Sequence, residues 1–351
     1  MNMAVHGLVA NIKSGDVANS FYNDAFNMVG KCDYVMANPP FNVDKVKSET
    51  VLSAGRLPFG LPGVNKKKEV GNANYLWISY FYSYLKPTGR AGFVMAASAT
   101  DSSHKDRDIR EQLIKTGDVD VMLSVGNNFF YTKSLPCTLW FFDRNKRDEI
   151  RDKVLFIDAR NYYTVVDRTL NEWSEWQLKN LNAIVWLYRG EIEKYKGLLG
   201  EYDKILGTHD YNERVETLTN GIGHLKQEQK EAVEKAEKKE KKKLTAVYDE
   251  KIQTLTDLLN VAKEAKWLFE KFGEGKYQDI AGLCKIANRK EIEDKNWSLT
   301  PGAYVGVAPQ EDDGVDFAER MAEIHAELAD LQTEADGLMA KILENYEGLK
   351  M

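Results

Sequence analysis

The sequence predicts an α/β fold with a doubly wound sheet, followed by a helical C-terminal region. In residues 1–160, short apolar runs alternate with helical segments, which is typical of a sheet covered by helices on both faces. From residue 170 onward, apolar residues recur at spacings of three and four, as in helices that pack through a narrow seam. The two patterns together indicate a Rossmann-like sheet and then coiled-coil-like helices.

The predicted elements of the first part follow from apolar runs and from the residues that end them. They are a strand ending near Lys13, a strand at Asp33–Ala37, a loop at Val43–Gly71, a helix at Asn74–Leu85, a strand at Ala91–Met95, a helix at Ser102–Lys115, and strands at Val119–Ser124 and Thr138–Phe142. Strands that alternate with helices favour a parallel sheet, whose sites lie at the carboxyl ends of the strands.

Composition indicates a cytoplasmic protein of about two domains. The chain has 351 residues, of which 43% are hydrophobic and 29% charged, and its formal net charge is −6. No apolar run is long enough to span a membrane, and no signal peptide is expected. Three widely spaced cysteines (Cys32, Cys137 and Cys284) are predicted to be reduced thiols, and no metal site is expected from the histidine spacing.

The motif Asn38-Pro39-Pro40-Phe41 follows directly on the predicted strand Asp33–Ala37. The Asn38 side-chain oxygen and the Pro39 carbonyl can each accept one N–H of a planar exocyclic amine. Held in this way, the amine nitrogen can pyramidalise and direct its lone pair at an electrophilic methyl group. Pro40 fixes the turn and disposes Pro39 toward an extended conformation. Phe41 offers a flat face for an extruded base.

The motif has a simpler interpretation, in which a strand ends in a Pro-Pro turn and Phe41 belongs to the core. The strand that precedes the motif favours the functional interpretation, because a base-modifying site requires such a strand.

Several stretches together resemble the modification (M) subunit of type I restriction–modification enzymes, a family of S-adenosylmethionine-dependent DNA adenine-N6 methyltransferases. The similar stretches are His6-Gly7 with Gly15-Asp16, then Asp33–Asn42, Gly71–Tyr84, Gly89–Ser98, Phe129–Phe142, Val154–Ala159 and Trp297–Val307, followed by Glu311–Gly314 and a long helix. They cover the N-terminal half and roughly the last fifty residues.

The resemblance implies functions for individual residues. Asn38 and Pro39 would hold the target amine, Pro40 would shape the turn, and Phe41 would stack on the base. Asp16 would accept a hydrogen bond from the adenine amine of S-adenosylmethionine, although an Asp in a Gly-Asp turn or at a helix N-cap is an equal alternative.

The chain also departs from the family pattern. Members of the family carry an N-terminal helical domain and a Gly-rich loop that holds the methionine end of the cofactor, and neither precedes Asn38 here. We therefore expect this sequence to be the C-terminal portion of an M subunit. Its sheet would be a partial methyltransferase sheet, and the isolated chain would be catalytically inert.

The chain is expected to divide into three stretches, namely the catalytic domain at 1–165, a helical hairpin or arm at 166–296, and a docking segment at 297–351. Apolar residues of the last helix step four and three through Phe317, Met321, Ile324, Leu328, Leu331, Ala335, Leu338 and Ile342. The resemblance implies that helix 316–349 docks on a specificity (S) subunit, although packing on the chain's own hairpin is the alternative. Further implied partners are DNA, a second M subunit and a restriction (R) subunit.

Two other functions remain open. One is a different Asn-Pro-Pro-Phe methyltransferase that acts on an amide or on RNA, since the same amine-holding logic applies there. The other is a non-catalytic remnant that keeps only the assembly surface.

Overall fold

A computed structural model describes residues 2–130, 134–237 and 240–308, together with residues 321, 324–325, 328, 331–332, 335–339, 341–342 and 346. The chain divides into two compact units, Met1–Ala308 and Pro309–Met351. The domain boundaries expected at residues 165 and 296 stay predictions. No helix among the described residues is long and apolar enough to cross a membrane.

The strands of the first unit are β1 (Cys32–Ala37), β2 (Val46–Lys47), β3 (Glu69–Val70), β4 (Leu85–Ala96), β5 (Val119–Val125), β6 (Cys137–Asp143), β7 (Lys153–Asp158), β8 (Thr164–Val165), β9 (Asn171–Glu172) and β10 (Cys284–Asn288). Its helices are α1 (Asn2–Val5), α2 (Ser48–Ser53), α3 (Asn74–Tyr84), α4 (Lys105–Lys115), α5 (Glu175–Tyr188), α6 (Ile192–Leu206), α7 (Tyr211–Lys235), α8 (Lys241–Phe272), α9 (Arg289–Asp294) and α10 (Gly302–Val305). Short 3₁₀ helices span Asp16–Ala18, Ala97–Asp101 and Asp148–Ile150.

The main sheet has the strand order β1-β4-β6-β5-β7-β10. The β1–β4 and β5–β7 pairs are parallel, whereas β6 runs antiparallel to β4 and β5, and β10 runs antiparallel to β7. The α/β fold class is confirmed, but the sheet is not parallel throughout, because β6 and β10 run antiparallel to their neighbours. A short connection from β5 to β6 allows an antiparallel neighbour, because a parallel pair needs a long crossover.

Helices cover both faces of this sheet, as the alternation along β7 shows. Val154 and Phe156 belong to one apolar core, which also contains the buried residues of α3 and α4. Leu155 and Ile157 belong to a second core, formed with α5, α6 and α8. Successive side chains of a strand point to opposite faces, so a strand buried on both faces reads as a continuous apolar run.

The expected loop at Val43–Gly71 contains more structure than predicted. It holds α2 and the small antiparallel pair β2–β3, and it buries Val46, Val51 and Phe59. These residues cover the outer side of α3, which explains why every α3 residue from Asn74 to Tyr82 is buried. A helix that is apolar all round requires cover on every side.

The helices α7 and α8 form an antiparallel hairpin. Gly221 lies against Leu255, and Gln229 Nε2 donates to Asp249 Oδ1 at 2.6 Å. Asp210 caps the start of α7 by accepting from Glu213 N at 3.0 Å. The glycines at 221 and 223 lie within α7, where the packing seam against α8 overrides their low helix propensity.

In the second unit, the described residues are helical. The predicted seam residue Phe317 lies outside the described residues. The apolar seam residues Met321, Ile324, Leu328, Leu331, Leu338 and Ile342 are exposed.

The strand expected near Lys13 is absent, and that prediction is wrong. Residues 8–13 have no assigned secondary structure, and Leu8, Val9 and Ile12 are exposed. Segments of this kind form strands only when a neighbour accepts their backbone hydrogen bonds. In contrast, the predicted strand β1 forms at the edge of the sheet, and Tyr34 and Met36 are 78% and 94% exposed.

We expect the backbone amides of residues 9–14 to exchange with solvent at nearly unprotected rates. The described structure gives them no backbone hydrogen bonds, whereas β5 is paired on both sides. Hydrogen exchange followed by mass spectrometry should therefore separate this segment from Val119–Val125 in the same sample. Strong protection of residues 9–14 in a monomer would show that the sheet closes over them without further strands.

Asp106, in the first turn of α4, makes stability depend on pH. Burial raises the pKa of its carboxyl to about 6 from an ordinary value of 3.8, although nearby Arg110 and a hydrogen bond from Gly63 partly oppose the shift. Because the folded-state pKa is raised, the chain loses stability as pH rises from 3.8 to 6. The loss is complete above that window and absent below it.

Replacing Asp106 with Asn should therefore stabilise the protein at pH 7 by at most about 3 kcal/mol, less about 0.5 kcal/mol for the lost helix-dipole interaction. Below about pH 3.5 the pKa-dependent gain should vanish, because the Asp106 carboxyl is then protonated in both the folded and the unfolded chain. Urea unfolding at the two pH values measures the difference. Asp108→Asn is the control, since that carboxylate is 44% exposed and pairs with Lys105; an equal gain from it would contradict the assignment.

Candidate active site at the carboxyl end of β1

The motif Asn38-Pro39-Pro40-Phe41 lies immediately after β1, at the carboxyl edge of the sheet. Asn38 and Pro40 are exposed, Pro39 is buried, and Phe41 is partly buried. Burial of Pro39 costs no unpaired N–H, because proline has none. The turn therefore exposes the Asn38 side chain at a rigid point of the backbone.

Phe41 contacts both apolar cores, one on each face of the sheet. This position anchors the turn over the end of β1, and it leaves part of the ring accessible. The core interpretation and the stacking interpretation of Phe41 are therefore compatible, since one side of the ring packs inward.

A cluster of three asparagines holds the backbone that follows Phe41. Asn42, whose φ is 55°, donates its backbone N–H to Asn74 Oδ1 at 2.9 Å. The Asn42 side-chain oxygen accepts from Asn74 Nδ2 at 2.9 Å and from Asn72 Nδ2 at 3.0 Å. Asn74 is 2% exposed, so its two bonds with Asn42 are partly buried, whereas the Asn72–Asn42 bond is exposed. The cluster joins the motif to the start of α3 and restricts motion of the turn.

Sequence reasoning missed this cluster. The signal available was the pair of asparagines in Gly71-Asn72-Ala73-Asn74, directly before the aromatic helix. Nothing in the local pattern relates that pair to Asn42, which lies 32 residues before Asn74.

The other strand ends meet the motif at the same edge. Ala37 of β1 pairs with Phe93 of β4, and Cys137 of β6 lies opposite both Ala96 of β4 and Val125 of β5. The carboxyl ends of β1, β4, β5 and β7 therefore share one edge, which is where α/β sheets bind ligands.

The segment at Trp297–Val305 braces this edge from the far end of the first unit. Leu299 N donates to Thr100 O at 2.8 Å, and the Thr100 and Thr300 hydroxyl oxygens lie 2.7 Å apart. Thr100 belongs to the 3₁₀ helix that follows β4. Tyr304 stacks on Phe156 of β7 with ring centroids 3.8 Å apart. The segment thus contacts both the end of β4 and β7, which are separated in the sheet by β6 and β5.

The buried Arg110 joins that brace to the aromatic helix. Its Nη1 donates to Tyr75 Oη at 3.0 Å and to Ser102 O at 2.8 Å, while Nε donates to the carbonyl of Trp297. Burial raises the pKa of Tyr75 above its ordinary range, even though the adjacent guanidinium opposes the shift. Tyr75 therefore acts as a neutral hydroxyl in this network.

Asp16 is the first residue of the 3₁₀ helix Asp16–Ala18 and is exposed. Gly15 occupies the N-cap position with φ 70°, so Asp16 is not the cap residue. The Asp16 carbonyl accepts from Asn19 N and Asn23 Nδ2, at 3.1 and 2.9 Å, and no hydrogen bond or ion pair to its carboxylate occurs among the described residues.

A cavity of about 480 Å³ lies between residues 11–13 and the outer edge of β1, but neither Asp16 nor Asn38 lines it. Asp16 and Asn38 therefore do not meet in this cavity, which by itself is not a complete site for S-adenosylmethionine. No potential metal-binding group of three side chains forms among the described residues either.

Known proteins similar to this chain carry consistent descriptions. The methylase subunit of the type I restriction enzyme MjaIX from Methanocaldococcus jannaschii is 29% identical over 353 residues, covering 99% of this chain and 47% of that protein. The methylase subunit of the type I restriction enzyme HindI from Haemophilus influenzae is 26% identical over 350 residues, covering 99% of this chain and 58% of that protein. The chain thus spans about half the length of these relatives.

A solved structure supports the fold. The methyltransferase subunit of a type I restriction-modification system from Streptococcus thermophilus superimposes with a TM-score of 0.50 at 16% identity, over 87% of this chain and 45% of that one. The model of the family described as N-6 DNA methylase matches residues 1–227, which include β1, the Asn38–Phe41 turn and the asparagine cluster. The chain therefore belongs to the N-6 DNA methylase family.

Proposed function

We propose that this chain provides the target-adenine half of a DNA adenine-N6 methyltransferase, as the M subunit of a type I restriction–modification system. The observation that carries the proposal is the exposed Asn38 on a braced Pro-Pro turn at the carboxyl end of β1, in a chain of the N-6 DNA methylase family. The relatives described as type I methylase subunits support the choice of system.

In this proposal, the Asn38 side-chain oxygen and the Pro39 carbonyl accept the two N–H groups of adenine N6. These bonds favour a pyramidal nitrogen, whose lone pair then becomes available. In an assembled enzyme, bound S-adenosylmethionine would supply the methyl group and would leave as S-adenosylhomocysteine once its S–CH₃ bond breaks. The methylated nitrogen carries one excess proton, which passes to water, so no general base is required from the chain.

Phe41 would support the extruded base by stacking. Its inner side is fixed by both apolar cores, so the accessible side presents a preorganised surface. Bases stack on such surfaces without sequence preference, which is consistent with recognition of the DNA sequence by a separate subunit.

Assembly would involve DNA, an S subunit, a second M subunit and an R subunit. The exposed apolar seam on the described residues of 316–349 supports docking to a helical partner, because Leu328 and Leu331 are 57% and 55% exposed. An apolar heptad seam normally packs against another helix.

A non-catalytic assembly subunit is the second candidate. The observation in its favour is that Asp16 is exposed and that neither Asp16 nor Asn38 lines the cavity beside β1. Cofactor binding by the chain separates this candidate from an enzyme that acts alone.

In an assembled enzyme, Asn38→Ala should slow methylation more than Phe41→Ala does. Loss of the amide acceptor removes the group that polarises the nucleophile, at a cost of about 3–4 kcal/mol. Loss of the stacking ring costs about 1–3 kcal/mol. Single-turnover methylation of duplex DNA measures both rates. Asn212→Ala, at an exposed position of α7, is the control; the reverse order or equal losses would refute the assigned roles.

The isolated chain should bind S-adenosylmethionine more weakly than about 1 mM, which corresponds to less than about 4 kcal/mol. The reason is that the Asp16 carboxylate is exposed and that neither Asp16 nor Asn38 lines the cavity beside β1. Isothermal titration calorimetry at millimolar ligand concentration measures the affinity. Micromolar binding would show that the chain carries a complete cofactor site.

A further inference from the structure

A polar cleft lies at the carboxyl ends of β5 and β7, and we call it the strand-end cleft. Its volume is about 640 Å³, and its lining includes Asn127, Asn128, Arg160, Asn161, Tyr163 and Asn171. The volume falls within the range of about 300–1,000 Å³ that is common for ligand sites. Amides dominate the lining, so the cleft suits a ligand with many hydrogen-bonding groups.

The floor of the cleft is firmly built. Asn171, which is 9% exposed, donates its backbone N–H to Asn128 O at 2.7 Å and its Nδ2 to Asn127 O at 3.0 Å. Gly126 approaches so closely that a Cβ there would lie 2.8 Å from Arg160 O. The loops after β5 and β7 therefore contact each other, which limits their freedom and preserves the shape of the cleft.

Arg160 is the cationic group of the cleft and is held in one orientation. Its Nε donates to Asp158 Oδ1 at 2.8 Å, and its Nη2 donates to Asp158 Oδ2 at 2.6 Å. A Cβ on Gly302 would lie 2.9 Å from Arg160 Nη2, so glycine at position 302 leaves room for the Arg160 guanidinium group. The Nη1 group has no partner among the described residues and stays available to an acceptor.

This set of groups matches the sugar-phosphate backbone of a nucleic acid. Phosphate oxygens accept from guanidinium and amide N–H groups, and most protein–DNA hydrogen bonds go to phosphate and sugar. Amides can also accept from base edges. Few apolar side chains line the cleft, which argues against a hydrophobic ligand.

The cleft shares the carboxyl edge with the Asn38 turn. β1 and β5 are separated by β4 and β6, which places their ends about 14 Å apart at the usual strand spacing. DNA rises about 3.4 Å per nucleotide along one strand, so about four nucleotides cover that distance.

On these grounds, and resting on the proposed function, we propose that the strand-end cleft holds the DNA strand that flanks the target adenine. Arg160 and Asn161 contact its phosphates, while Asn38 holds the target base. The contact is independent of sequence and sets the position of the strand relative to the Asn38 turn.

Binding of a fluorescein-labelled single-stranded oligonucleotide of about twelve nucleotides tests the proposal, with the full chain and fluorescence anisotropy at low salt, about 50 mM. The first variant is Arg160→Gln. Its matched control is Arg151→Gln, which changes the net charge equally and lies at the opposite end of the sheet, before β7. The two arginines are 55% and 48% exposed, and each pairs with an aspartate that is nearly buried.

A second pair of variants tests the cleft independently, so that a folding defect in Arg160→Gln does not decide the outcome. Asn161→Asp is nearly isosteric at an exposed position, and it adds a negative charge to the cleft. Asn212→Asp adds the same charge at an exposed position of α7. We expect each cleft variant to bind about threefold or more weakly than its control, which is the loss typical of one hydrogen bond.

Equal affinities within both pairs, or the absence of saturable binding by the unsubstituted chain, would overturn the proposal. The outcome is distinct from a failure of the proposed function. If Asn38→Ala leaves methylation unchanged while Arg160→Gln weakens binding, then the methyltransferase assignment fails and the cleft still contacts DNA. If only the Asn38 result holds, then the cleft proposal alone is wrong.

Discussion

The antiparallel insertion of β6 between β4 and β5 is the constraint on which the rest of the molecule depends. Cys137–Asp143 pairs along its full length with β4, and its residues from Cys137 to Phe142 also pair with β5, while Trp140 at its centre is completely buried. Two antiparallel steps return β5 to the direction of β4. The carboxyl ends of β1, β4, β5 and β7 are therefore brought to one edge, and the Asn38 turn and the strand-end cleft both lie there.

Residues distant in sequence then stabilise that edge. The segment at Trp297–Val305 binds the backbone after β4 through Thr100, and it packs on β7 through Tyr304. Arg110 extends the contact to α3, where Tyr75 accepts its hydrogen bond. Buried arginine is tolerated because its donors meet carbonyl and hydroxyl oxygens. The segment near residue 300 therefore supports the sheet edge that carries the Asn-Pro-Pro-Phe turn, although it is not part of that motif.

At the β1 edge of the sheet, fewer backbone groups are paired with a neighbouring strand. β1 pairs on one side only, and Met36 is 94% exposed although the strand is mostly apolar. An unprotected apolar edge favours pairing with another strand. The Asn42–Asn72–Asn74 cluster compensates in part, since it holds the turn after β1 through side-chain bonds that do not depend on the free edge.

The sequence by itself determined the local elements and the candidate motif. Apolar runs predicted β1 and β4 to β6, and the Asn-Pro-Pro-Phe pattern placed Asn38 at a strand end, because these features depend on neighbours in the chain. Tertiary structure decided that the segment near Lys13 does not form a strand. It also decided the direction of β6, the asparagine cluster and the Arg110–Trp297 bond. These depend on pairs up to 187 residues apart. No local periodicity encodes such contacts, because they exist only once the sheet has brought the two segments together.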